Sequence, residues 1–305
     1  MTTTTGSQTT SSQAAEGRIQ ALGIWQGSLN IAPLKGGISN ESWVVTDARG
    51  RHVVRFGEDY PFHHVERAHE LMVSRAAAEA GFAPALLHAA PGVMVTRYLG
   101  AQTYGADEVC ANLHRIAPLL REFHQRMLHH VSGPGRFFWP FHVIRDYARI
   151  LERDGSRMVA HLPRYVALAA RLEAAQVPLP VVFGHNDLLP ANILDDGARL
   201  WLIDFEYAGF STALFDLAGL SSNAGFDADQ TEALLQAYFG QKPAPELKRA
   251  MAAMQCASLL REAMWSMVSE LHLNAPGTDY PAYTDENLAR FETLLAAFER
   301  SHGTP

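Results

Sequence analysis

The sequence predicts an α+β protein of two lobes, a small antiparallel sheet with one helix followed by a larger, mainly helical part. Three observations carry that expectation. Short β-like runs separated by turn residues fill the stretch from Leu29 to Phe56 and return at Val93 to Tyr98. From Val109 onward, apolar residues recur at helical intervals instead. The chain has 305 residues of which 48% are hydrophobic, enough for a core larger than one small domain encloses.

In chain order, Met1 to Gly17 is rich in Thr, Ser and Gln and holds no Lys or Arg. It has little to bury, and residues 1–18 are expected to be a disordered polar tail. It also lacks the apolar segment of a secretory signal. Leu29 to Leu34, Ser42 to Thr46 and His52 to Phe56 then alternate with turns, the pattern of three antiparallel strands. Val65, Ala68, Met72 and Ala76 define a helix of about four turns ending at Gly81. A turn at Ala90 to Gly92 leads into a further strand, Val93 to Tyr98, which closes a first lobe of residues 19–98.

The second lobe, residues 99–305, opens with Val109, Leu113, Ile116, Leu120, Phe123 and Met127 on one helical stripe, where Pro118 should kink the helix or restart it. Further helices are expected at Val143 to Arg153, Arg164 to Ala175, Thr231 to Phe239, Glu246 to Leu273 and Asp285 to Arg300. A short β-like island lies between them, at Val181 to Phe183, Asn192 to Leu194 and Leu200 to Ile203.

Composition excludes several functions. Lys plus Arg number 25 against 32 for Asp plus Glu, a formal charge of −7, and no basic block occurs, so nucleic acid is not an expected partner. Cys110 and Cys256 form no CxxC or His/Cys cluster, which argues against a disulfide scaffold or structural zinc. Apolar runs break well short of the roughly 18 to 20 residues of a membrane span. The expectation is a cytoplasmic protein. No GxxxxGK[ST] sequence is present, which disfavours a P-loop ATPase.

The chemistry concentrates in His185-Asn186-Asp187-Leu188-Leu189-Pro190-Ala191-Asn192, followed by Leu202-Ile203-Asp204-Phe205-Glu206. Phosphoryl transfer needs a carboxylate beside the attacking hydroxyl and oxygen ligands that hold Mg²⁺ against the ATP phosphates. Asp187, Asn192 and Asp204 are those residue types, at the H-x-D-x-x-x-x-N spacing with an Asp-Phe pair beyond a short hairpin. Any one of them alone would serve equally well as a turn or cap residue. The set of three within a β context points to chemistry.

These strings resemble the aminoglycoside phosphotransferase and choline/ethanolamine kinase superfamily, a branch of the protein-kinase-like fold. They are most similar to bacterial choline kinase-like members, and Phe215-Asp216-Leu217-Ala218 extends the likeness. The resemblance covers residues from about 29 to 300. It implies that Asp187 accepts or orients the acceptor hydroxyl proton, that Asn192 and Asp204 are Mg²⁺ ligands, and that His185 and Asp216 support the loop. It also implies ATP in a cleft between the lobes. The turn containing Gly36, Gly37, Ser39 and Asn40 resembles the family's nucleotide turn, where glycine admits phosphates close to backbone N–H groups. Arg55 stands where many kinases carry a phosphate-binding lysine, and an arginine can clamp phosphate oxygens with two bonds. Glu70 is the helix carboxylate expected to pair with it, with Glu66 one turn earlier as the alternative. Thr96 to Tyr98 would form the backbone hinge for adenine.

For the acceptor, the resemblance implies an amino alcohol such as choline or ethanolamine. Trp265 sits in a helix like the one from which choline kinases present tryptophan, and aromatic faces attract cations by roughly 0.5 to 2 kcal/mol. The family's next aromatic is Val268 here, which leaves ethanolamine or another amino alcohol open. Tyr207, Tyr280, Tyr283 and Glu206 complete the candidate acceptor residues. Aminoglycosides, thiamine and sugars remain alternative acceptors. A catalytically silent nucleotide-binding module is the alternative of another class. The sequence does not fix the oligomeric state.

Overall fold

A computed structural model describes residues 5–34, 41–273, 275 and 277–303. The Gly36, Gly37, Ser39 and Asn40 turn lies outside the described residues. Contacts divide the chain into two compact units, Met1–Glu58 with Pro84–Gly100, and Asp59–Ala83 with Ala101–Pro305.

The first unit holds helix α1 (Thr5–Gln20) and a five-stranded antiparallel sheet of β1 (Asn30–Pro33), β2 (Glu41–Asp47), β3 (Gly50–Phe56), β4 (Leu86–Ala90) and β5 (Val93–Arg97), in the order β1-β2-β3-β5-β4. Period-two alternation drives it: Trp43 and Val45 of β2, Val54 and Phe56 of β3, and Val95 of β5 point to one buried face. The register pairs Trp43 with Val54 and Val54 with Val95, so the strands stack these side chains in a row. Asp47 fastens the unit's lead-in by accepting hydrogen bonds from the Gln26 and Arg49 N–H groups at 2.9 and 2.8 Å and contacting the His52 ring at 2.9 Å.

Two elements in this part of the chain were not expected from the sequence. The polar tail expected over residues 1–18 contains α1, whose Ala15 and Ile19 are buried in the same cluster as Trp43 and Val54. Among the described side chains of α1, Ala15 and Ile19 do the burying, too few to give an apolar period. Strand β4 was not foreseen, because Leu-Leu-His-Ala-Ala has neither alternation nor β-branched residues; β5 recruits it, with a register shift between Leu86 and His88.

The second unit begins with α2 (Arg67–Glu79), which ends as expected ahead of Gly81, at φ +84°. Contacts assign this helix to the second unit rather than to the first lobe expected from sequence, since Val73, Ala76 and Ala77 join its large core. There follow β6 (Gln102–Thr103), α3 (Ala106–Ala111), α4 (Leu113–Arg126), α5 (Pro140–Arg153), α6 (Leu162–Ala174), β7 (Val181–Gly184), β8 (Ile193–Asp195), β9 (Leu200–Leu202), β10 (Gly209–Thr212), α7 (Ala213–Asn223), α8 (Ala228–Phe239), α9 (Pro245–His272) and α10 (Tyr280–His302). The restart expected near Pro118 falls at Asn112, and Pro118 itself is carried inside α4. Helix α7 has no amphipathic signal because Ala213 through Ser222 are all buried. The strands form a β7/β10 pair and a β6-β8-β9 sheet, both antiparallel, and these present the loops of the site.

Candidate active site

The loop after β7 is held by its backbone. Asp216, in the first turn of α7, accepts the N–H of His185 on Oδ2 at 2.7 Å and the N–H of Asn186 on Oδ1 at 2.6 Å. His124 of α4 reaches Oδ2 through Nε2 at 2.8 Å, and its Nδ1 meets the Tyr238 hydroxyl of α8 at 2.7 Å. Burial pushes the Asp216 carboxyl up, but the hydrogen bonds from His124 and the loop N–H outweigh it and hold the group below the usual carboxylate range. Asn186 adopts φ +61°, rare for a residue with a side chain, and its amide nitrogen donates to Tyr207 O and Gly209 O at 3.1 and 3.2 Å. That strained residue sets the direction of Asp187.

Close approach explains a glycine here. A Cβ on Gly184 would lie 2.7 Å from Asn186 Oδ1 and 3.2 Å from Asp216 Oδ2, both inside the hydrogen-bonded brace. Gly184→Ala is therefore expected to destabilise the fold by about 1–3 kcal/mol through overpacking. A urea midpoint equal to that of the parent protein would contradict this.

The hairpin ties the segment carrying Asn192 to the one carrying Asp204. The Asn192 side-chain nitrogen donates to Asp187 O at 2.8 Å, which commits its N–H₂ to the loop and leaves Oδ1 outside that bond. Ile203 N donates to Asn192 O at 3.1 Å, and Ile203 O accepts the His185 ring at 2.8 Å. Asp204 follows at φ +69°, a second left-handed residue with a side chain. Among the described residues no group of three His, Cys, Asp or Glu could hold a metal. An amide oxygen and a carboxylate nonetheless suit Mg²⁺, which keeps several waters and takes phosphate oxygens as further ligands.

Asp187 lies in a charged setting that the sequence reading missed. Burial pushes its carboxyl well above the usual range, while the Arg261 guanidinium, 3.9 Å away, draws it back. Arg261 is 4% exposed and bonds Glu262 at 2.6 Å; Glu262 also accepts the Tyr283 hydroxyl at 2.8 Å. The missed signal was a charged pair in the middle of a helix whose neighbours, Leu259, Leu260, Ala263 and Met264, are all buried.

The expected acceptor aromatics are largely occupied by the protein itself. Trp265 is 8% exposed, stacks on His63 at 5.0 Å, and donates its indole N–H to the Tyr207 hydroxyl at 3.0 Å. The Arg261 guanidinium sits 5.6 Å from the Tyr207 ring centre. Tyr280 is buried, whereas Tyr283 is half-buried. Glu206 is buried and accepts Arg67 at 2.9 Å; Glu70 takes the same arginine at 2.6 Å.

In the first unit, Arg55 lies on β3 on the face opposite Val54 and Phe56. In the segment expected as the hinge, the N–H groups of Arg97 and Tyr98 donate to Ala85 O and Arg51 O at 2.9 and 3.1 Å. Thr96 lies in β5 between its partners Val53 and Leu86, and the Tyr98 ring is covered by Arg51 at 3.7 Å.

A strand-ended loop carrying Asp187, braced by the helix-borne Asp216, and an Asn/Asp pair across a hairpin define a kinase-like fold. The model of the family described as phosphotransferase enzyme family matches residues 30–254, and the chain belongs to that family. It is similar to a choline/ethanolamine kinase family protein from Mesorhizobium loti, with 31% identity, 96% of this chain and 97% of that chain covered, and a TM-score of 0.74. The choline kinase LicA from Streptococcus pneumoniae shares the fold at 20% identity, covering 94% of this chain and 99% of that one, with a TM-score of 0.73. Protein LicA of Haemophilus influenzae is 26% identical over 211 residues, 68% of this chain; the match spans only 62% of that relative's length. Among the described residues no helix is long and apolar enough to cross a membrane.

Proposed function

We propose that the chain transfers the γ-phosphoryl group of ATP, with Mg²⁺, to the hydroxyl of a small amino alcohol such as choline or ethanolamine. The observation that carries this reading is the brace on the loop: Asp216 fixes the His185 and Asn186 backbone at 2.7 and 2.6 Å so that Asp187 stands at the end of a rigid loop. Asp187 orients the acceptor hydroxyl and takes its proton. Asn192 and Asp204 would hold the metal, which when bound neutralises phosphate charge. Arg55 would bind phosphate oxygens, which its guanidinium can clamp with two bonds. The named activities of the relatives above support the acceptor class.

A polyhydroxylated amine such as an aminoglycoside is the second reading. It is favoured by Trp265, only 8% exposed and stacked on His63, and by the carboxylates Glu206 and Glu262 near Asp187. A coupled ADP-release screen over choline, ethanolamine, thiamine, simple sugars and aminoglycosides separates the two. Preferred turnover with an amino alcohol is the expected result, and an aminoglycoside preference would replace it with the second reading. ATP binding with no transfer to any alcohol would make the chain a silent nucleotide-binding module.

A further inference from the structure

Both flanks of Asp204 are tied down. On one side, Ile203 bonds Asn192 and the His185 ring, as described above. On the other side the tie comes from α2. A single nitrogen of Arg67, Nη1, donates to Glu206 Oε2 at 2.9 Å and to Glu70 Oε2 at 2.6 Å. The three side chains are 12%, 7% and 4% exposed for Arg67, Glu206 and Glu70, so this charge cluster is shielded from water. The His69 ring reaches Ala208 O at 2.7 Å, and Asp59 accepts the Arg67 N–H at 2.7 Å. The first turn of α2 thus holds residues 206–208 from outside the loop.

A left-handed residue with a side chain persists only where its surroundings over-determine it. Asp204 is such a residue, and the chain leaving it is fixed at Glu206, two residues on. We propose that Arg67 is a positioning residue for the metal–nucleotide site: by clamping Glu206 to α2 it sets the backbone from which Asp204 presents its carboxylate. This inference rests on the phosphotransfer reading above. Outer-shell groups that orient ligands typically change metal affinity by about 10–100-fold when lost, and that is the size of effect expected.

The test measures Mn²⁺ affinity by electron paramagnetic resonance in the presence of ADP, on the full chain and on Arg67→Met, Glu206→Gln and the double variant. Either single change should weaken Mn²⁺ by about 10–100-fold. The double variant should lose no more than either single one, because the clamp is broken once. Mn²⁺ affinity within threefold of the parent in Arg67→Met, or losses that multiply in the double variant, would overturn the proposal. Should the bared carboxylates keep Arg67→Met from folding, Glu206→Gln and the double variant decide it, since a clamp requires that they bind Mn²⁺ equally. A parent chain that binds no Mn²⁺ with ADP overturns the phosphotransfer reading itself, a result distinct from equal binding by parent and variants.

Discussion

Asp187→Asn is expected to lower turnover by about 10²–10⁴-fold, the usual contribution of a positioned base, while the protein stays folded. The loop is held by backbone groups of His185 and Asn186 and by the Asn192 amide on Asp187 O, none of which needs the Asp187 carboxylate. The carboxylate itself is a largely desolvated charge, 16% exposed, and Arg261, 3.9 Å away, is already bonded to Glu262 at 2.6 Å. Removing such a charge relieves desolvation more than it breaks contacts. The melting temperature should therefore stay level or rise, while ADP release with the preferred acceptor falls away. Asparagine keeps the volume and can still hydrogen-bond the acceptor, but it cannot take the proton. A folded Asp187→Asn protein with activity within a few-fold of the parent would remove the base from the mechanism.

How much of this was legible beforehand depends on whether a residue acts through local pattern or through packing. Strands β2 and β3 and helix α2 were readable because period two and period 3.6 are written into adjacent residues. The loop from His185 to Asn192 was readable because its chemistry is carried by consecutive positions. Arg67 and Arg261 were not, since each acts on a partner far along the chain: Arg67 on Glu206, Arg261 on Asp187. The surroundings of Trp265 were hidden for the same cause: it stacks on His63, which bonds Ser269 at 2.9 Å from 206 positions away. Helix α7 escaped notice for the opposite reason, because burial on all sides erases the periodicity that identifies a helix.

Asp216 is where fold and function are hardest to separate, and its removal should cost both. In Asp216→Ala, the N–H groups of His185 and Asn186 and the His124 ring lose their acceptor in a space where Asp216 is 2% and His124 0% exposed. Breaking a buried, hydrogen-bonded charge of this kind typically costs about 3–5 kcal/mol. Asn186, at φ +61°, then has less to hold it left-handed, and activity should fall with stability. Acid gives an independent reading. The folded-state carboxyl is held below its ordinary value, near 3.9 in an unfolded chain. Its stabilisation is thus fully present above about pH 4 and fades as pH falls through the lower folded value. Melting curves of the parent and of Asp216→Asn should be far apart at pH 7 and converge progressively below about pH 4. A gap that stays constant down to pH 3 would mean that the cost of Asp216→Asn comes from lost hydrogen-bond geometry around the His185 and Asn186 N–H groups and not from the lost charge.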